Sequence, residues 1–114
     1  MFEVIEWAAP VTSRVTMPLT VDGHTFSVTV VQHDNGLVAA DTVAVLPTRR
    51  TKAQRDRARA TNERVCALLA DLVRGTGATV AVEHVGEARV GVSGRKLSPE
   101  EAERWAAWKR SVAW

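Results

Sequence analysis

The chain has 114 residues, with 15 Lys and Arg against 13 Asp and Glu, 46% hydrophobic residues and one cysteine. A chain of that size buries roughly 65% of its unfolded surface, so residues 1–114 read as one domain whose core needs no metal or disulfide staple. Lone Cys66 closes no intrachain disulfide, no apolar run approaches about 18 residues, and no charged-then-apolar leader is present, which favours a cytoplasmic protein over a secreted or membrane-spanning one.

Phe2 to Trp7 mixes β-branched and aromatic residues and runs into Pro10, which predicts a short strand. From Ser13 onward, Val15, Met17, Leu19 and Val21 alternate with Arg14, Thr16, Pro18 and Thr20, the period of a half-buried strand, and Phe26, Val28 and Val30 repeat it. Asp22-Gly23 between them is a type I′ turn signal. A two-residue loop there pairs Leu19 with Phe26, Met17 with Val28 and Val15 with Val30, so each core residue meets another. At Asp34-Asn35-Gly36, a three-residue loop with Gly36 left-handed pairs Val30 with Ala40 and Thr29 with Asp41, whereas the two-residue register would bury an unpaired carboxylate. That strand should run to about Leu46, where Pro47 ends the ladder.

Thr51-Lys52-Ala53-Gln54 fits a capping box, with Thr51 as N-cap and Gln54 reaching back to its amide, and predicts a helix over 52–74 closed by Gly75 at C′. At 1.5 Å per residue this helix spans about 34 Å against about 23 Å for a seven-residue strand, so its front should overhang the sheet. Val65, Leu68, Leu69, Leu72 and Val73 supply the large apolar side chains, while residues 52–64 offer only alanines for packing. Ala78–Val85 and Ala88–Ser93 predict a hairpin around Gly86-Glu87, with Val82 opposite Val92 and His84 opposite Val90 for a three-residue loop. Ser98-Pro99-Glu100-Glu101 then opens a C-terminal helix with Trp105, Trp108 and Val112 on one stripe. The order β-ββ-β-α-ββ-α predicts an α+β domain: an antiparallel sheet of β-hairpins packed against a long central helix and a C-terminal helix.

The sharpest chemical feature is the basic segment Arg49, Arg50, Lys52, Arg55, Arg57, Arg59 and Arg64, offset by Asp56 and Glu63 to a net +5 over residues 49–64, whereas the remainder carries −3. Cations in a helix's first turn oppose its macrodipole at about 0.3–1 kcal/mol each, a cost that an anionic partner would offset. Arginine forks suit carboxylates and phosphates alike, so the segment points first to an acidic protein surface and second to DNA or RNA phosphates. The plain alternative is a solvated helix end. Trp114 is a second interface candidate, since tryptophan buries a large area and keeps one donor for a partner, whereas Trp105 and Trp108 read as core.

The three histidines share no metal-ligand spacing, which gives no metal and no cofactor, and Cys66 beside Val65 reads as an inert buried thiol. No phosphate-loop, dinucleotide, nucleophile-elbow or metalloprotease motif is present, and Glu83 and His84 alternate to opposite sheet faces, so no catalytic residue is assigned and the expectation is a non-enzymatic protein. Twelve arginines against three lysines and 18 valines against one isoleucine suit a GC-rich genome and, with the rest, a bacterial or phage accessory factor. Unpaired sheet edges would also permit a homo-oligomer.

Overall fold

The computed structural model describes residues 9–46 and 51–96, together with positions 100, 101, 103, 104, 107 and 108. It is an α+β structure. Five strands, β1 (Val11–Val21), β2 (His24–His33), β3 (Leu37–Val43), β4 (Thr79–Val85) and β5 (Arg89–Arg95), form one antiparallel sheet in the order β1-β2-β3-β5-β4, and helix α1 (Lys52–Gly75) joins β3 to β4. The expected strand over 2–7, most of the expected C-terminal helix with Ser98 and Trp105, and Trp114 lie outside the described residues, whereas Trp108, expected in the core, is 54% exposed. No helix among the described residues is long and apolar enough to cross a membrane.

The first two hairpins follow the sequence arithmetic. Leu19 faces Phe26, Met17 faces Val28 and Val15 faces Val30, across a turn in which Asp22 and Gly23 both take positive φ, 51° and 79°. The mirror-image turn needs that backbone to match the strand twist, and Asp and Gly tolerate it. Val30 then faces Ala40 and Thr29 faces Asp41, with Gly36 left-handed in the loop, which leaves Asp41 on the open face where Arg89 Nη2 donates to it at 2.7 Å. The ladder stops at Val43, earlier than the apolar run to Leu46 predicts.

Helix α1 lies on the sheet face that presents Val28, Val30, Val38, Ala40, Val90 and Val92, with Val65, Leu69 and Val73 fully buried against it. Burying each such side chain contributes about 1.5–3 kcal/mol before the cost of ordering it. Toward the N-terminus, packing does not rest on alanines alone, as the sequence suggests: Ala58 is buried, but so are the polar Thr61 and Asn62. Their hydrogen bonds, described below, make that burial tolerable. Residues 52–57 contain no buried side chain. At the other end Thr76 is the C-cap and Gly77 takes the left-handed conformation, rather than Gly75, because the Thr76 hydroxyl donates to Val73 O at 2.6 Å and carries the helix one turn-residue further.

The last hairpin departs from its predicted register. Gly86 N donates to Arg89 O, leaving a two-residue tip at 87 and 88, so Val82 faces Ser93, His84 faces Gly91 and Glu83 faces Val92. A bulge between Val80 and Val82 absorbs the extra residue and restores Val80 opposite Gly94. The bulge decides the side chains' faces: Val80 packs on the core, but Glu83 takes the helix side and Val82 turns to the open face, 58% exposed.

Candidate functional site: the basic helix end and its cleft

Residues from three separate elements meet where the first half of α1 crosses one end of the sheet. Asp22 and His24 come from the β1–β2 turn, Val45 and Leu46 from the chain leaving β3, and Gln54, Arg57, Ala58, Ala60, Thr61 and Arg64 from α1; together they line a cleft of about 530 Å³. Hydrogen bonds fix two of its walls. Asn62 acts on the departing chain as a neighbouring strand would: Val45 N donates to Asn62 Oδ1 at 2.8 Å, and Asn62 Nδ2 donates to Val45 O at 3.2 Å. Across the cleft, Asp22 Oδ2 accepts from the Thr61 hydroxyl at 2.8 Å and from Arg64 Nε at 2.9 Å, with Arg64 Nη2 on the same oxygen. The Arg64 guanidinium and the Thr61 hydroxyl, aided by the positive charge of Arg64, hold the Asp22 carboxyl below the usual carboxylate range, although burial opposes them.

The helix start is only half a capping box. Thr51 Oγ1 accepts from Gln54 N at 3.3 Å, but Gln54 does not reach back; its Oε1 is buried and has no hydrogen-bond partner among the described residues. The first turn of α1 contains no acidic residue. His24 lies on the same side of the hairpin, its ring 6.4 Å from that of Phe26.

The structure divides the basic segment. Arg49 and Arg50 lie outside the described residues. At 100° per residue Arg57 and Arg64 share the flank of α1 that borders the cleft, while Lys52, Arg55 and Arg59 share the opposite flank, with Asp56 and Glu63 between the two. Lys52, Arg55, Arg57, Arg59 and Arg64 are all exposed. Arg64 is already neutralised by Asp22, whereas no carboxylate among the described residues pairs with Lys52, Arg57 or Arg59; ion pairs among the described residues include Arg64–Asp22, Arg74–Asp71 and Arg89–Asp41.

Elsewhere the titratable groups serve structure. Burial, with a smaller effect from the Glu83 charge, pushes the Cys66 thiol up, away from the thiolate that nucleophilic chemistry needs. His33 Nδ1 lies 2.8 Å from Ala9 O, which ties the start of β1 to the end of β2. Glu83 and His84 stand on opposite faces of β4, and no group of three or more His, Cys, Asp or Glu among the described residues could hold a metal ion.

Asp22, His24, Gln54, Thr61 and Leu46 are cleft residues that the sequence does not reveal as such. Asp22 reads as a turn residue alone; its partners Thr61 and Arg64 are 39 and 42 positions away, with no short-range spacing to connect them. The chain matches no protein-family model, no curated protein and no solved structure.

Proposed function

We propose that the protein is a small non-enzymatic binding factor that engages an acidic surface of a partner protein through the front half of α1, with the Trp-bearing C-terminus expected to add to the contact. The observation that carries this reading is the exposed set Lys52, Arg57 and Arg59, which no described carboxylate neutralises, standing at a helix end without an acidic first turn. Cations there oppose the macrodipole, so an approaching carboxylate gains both from the arginine fork and from the helix terminus.

A protein suits the surface better than a duplex does. Val45, Leu46, Ala58 and Ala60 give the neighbouring cleft an apolar floor that a phosphate backbone has no use for.

The test is fluorescence anisotropy of the full chain with a fluorescein-labelled octaglutamate peptide and, in parallel, a labelled 20-base-pair DNA duplex. The reading expects saturable binding of the peptide, weakened at least about tenfold by the double reversal Arg55→Glu with Arg59→Glu, which removes two exposed charges and adds two repulsive ones. Unchanged peptide affinity in that variant overturns it. Preferential duplex binding, with log affinity falling against log salt by about 0.9 per phosphate contacted, would transfer the same surface to nucleic acid.

A further inference from the structure

Resting on the acidic-partner reading, we infer that the cleft beside α1 receives one apolar side chain of an extended partner segment, with an adjacent carboxylate of that segment held by Arg57. Two features of the cleft converge on this occupant. Leu46, 63% exposed, stands with Val45 and Ala58 around a space of about 530 Å³, within the range of cavities that hold ligand groups, so an apolar side chain finds apolar walls. The cleft's one described carboxylate, Asp22, is paired through Oδ2 with Arg64 and Thr61, which leaves Arg57 as a cleft cation with no described carboxylate partner.

A nucleotide meets none of these needs as well. No described aromatic side chain except the imidazole of His24 lines the cleft to stack on a base. The segment therefore combines a Leu- or Met-sized residue with a neighbouring Glu or Asp.

The experiment compares two labelled probes on the full chain by anisotropy: octaglutamate, and an octapeptide in which two of the eight glutamates are replaced by leucine. The inference expects the leucine peptide to bind at least about tenfold tighter although it carries less charge. Ala60→Leu, which fills the cleft at a helical position, should remove that advantage, and Arg57→Glu should weaken the leucine peptide at least about tenfold. Leu46→Ser provides a variant at an exposed position that cannot disturb the core and should reduce the leucine advantage severalfold. Equal affinities for the two peptides, or a leucine advantage that survives both Ala60→Leu and Leu46→Ser, overturn the cleft assignment; if Arg55→Glu with Arg59→Glu still weakens both peptides, the acidic-partner reading stands without it. Failure of both peptides to bind overturns both readings. A duplex that binds and is lost in Arg57→Glu overturns the peptide assignment in favour of phosphate.

Discussion

Asp22 does three jobs with one side chain, and each follows from its position in the two-residue turn. Its backbone accepts φ of 51°, which a β-branched residue would not, and the tight loop aims its carboxylate at α1, where Thr61 and Arg64 donate to it. Because these donors favour the ionised form, its pKa in the folded protein lies below that of an ordinary aspartate. A depressed native pKa contributes stability that is complete above the unfolded value and is lost as pH falls through the native one. The fold should therefore lose stability below about pH 4 in part through this group. Asp22→Asn keeps a residue that tolerates the turn but cannot ionise; urea unfolding across pH 2–7 should show the variant less stable than the parent at pH 7, with the gap closing in acid. A gap that does not change with pH would mean that the carboxylate's charge contributes nothing to folding.

Strand registers were legible wherever alternation and turn chemistry agreed. In the first hairpin, four alternating apolar positions on one side and Asp22-Gly23 at the tip leave a single register that puts both sets on one face, and the structure has it, although Val15 far from the turn stays 47% exposed. The second hairpin was fixed by the cost of burying Asp41. The third was not legible, because Thr79–Val85 is apolar at both parities and its partner alternates Val90 and Val92 with the small Gly91, Ser93 and Gly94, so a shift of one residue costs little at the level of sequence. What fixes it is a close approach: an added Cβ on Gly94 would stand 2.2 Å from Thr79 O. Gly94→Ala should therefore push the β4 edge away and destabilise the fold by about 1–3 kcal/mol, the usual cost of overpacking, measured by chemical denaturation. The same change with no loss of stability would show that β4 can slide without penalty. The candidate site was half legible for a related reason. Local charge density announces the arginines, but the cleft beside them depends on Asn62 gripping Val45 and on Asp22 gripping Thr61, contacts between residues 17 and 39 positions apart that no periodicity encodes.

Taken as a whole, the molecule is anchored unevenly, and its basic end is the lightly anchored part. The central strands β2, β3 and β5 are hydrogen-bonded on both sides and carry the fully buried Val28, Val38 and Val90, while α1 is pinned to them by Val65, Leu69 and Val73 in its second half. Its first six residues contribute no buried side chain, its first turn carries no acidic residue to favour the helix dipole, and one side of its capping box is unmade. Local opening free energies range from near zero at weakly packed ends to the global value in core elements. Amide exchange of the free protein should accordingly be at least about 100-fold slower at Leu69 and Val73 than at Arg57 and Ala58, a difference of about 2.7 kcal/mol. The functional proposal adds a second expectation at the same sites. Saturating octaglutamate should slow exchange at residues 56–59, because a ligand that binds only the formed helix adds its binding free energy to the opening cost there, while leaving β2 and β3 untouched as long as those amides exchange by local fluctuation. Uniform protection along α1 in the free protein would mean that the helix opens as a single unit and that its basic end is held as firmly as its core-facing half.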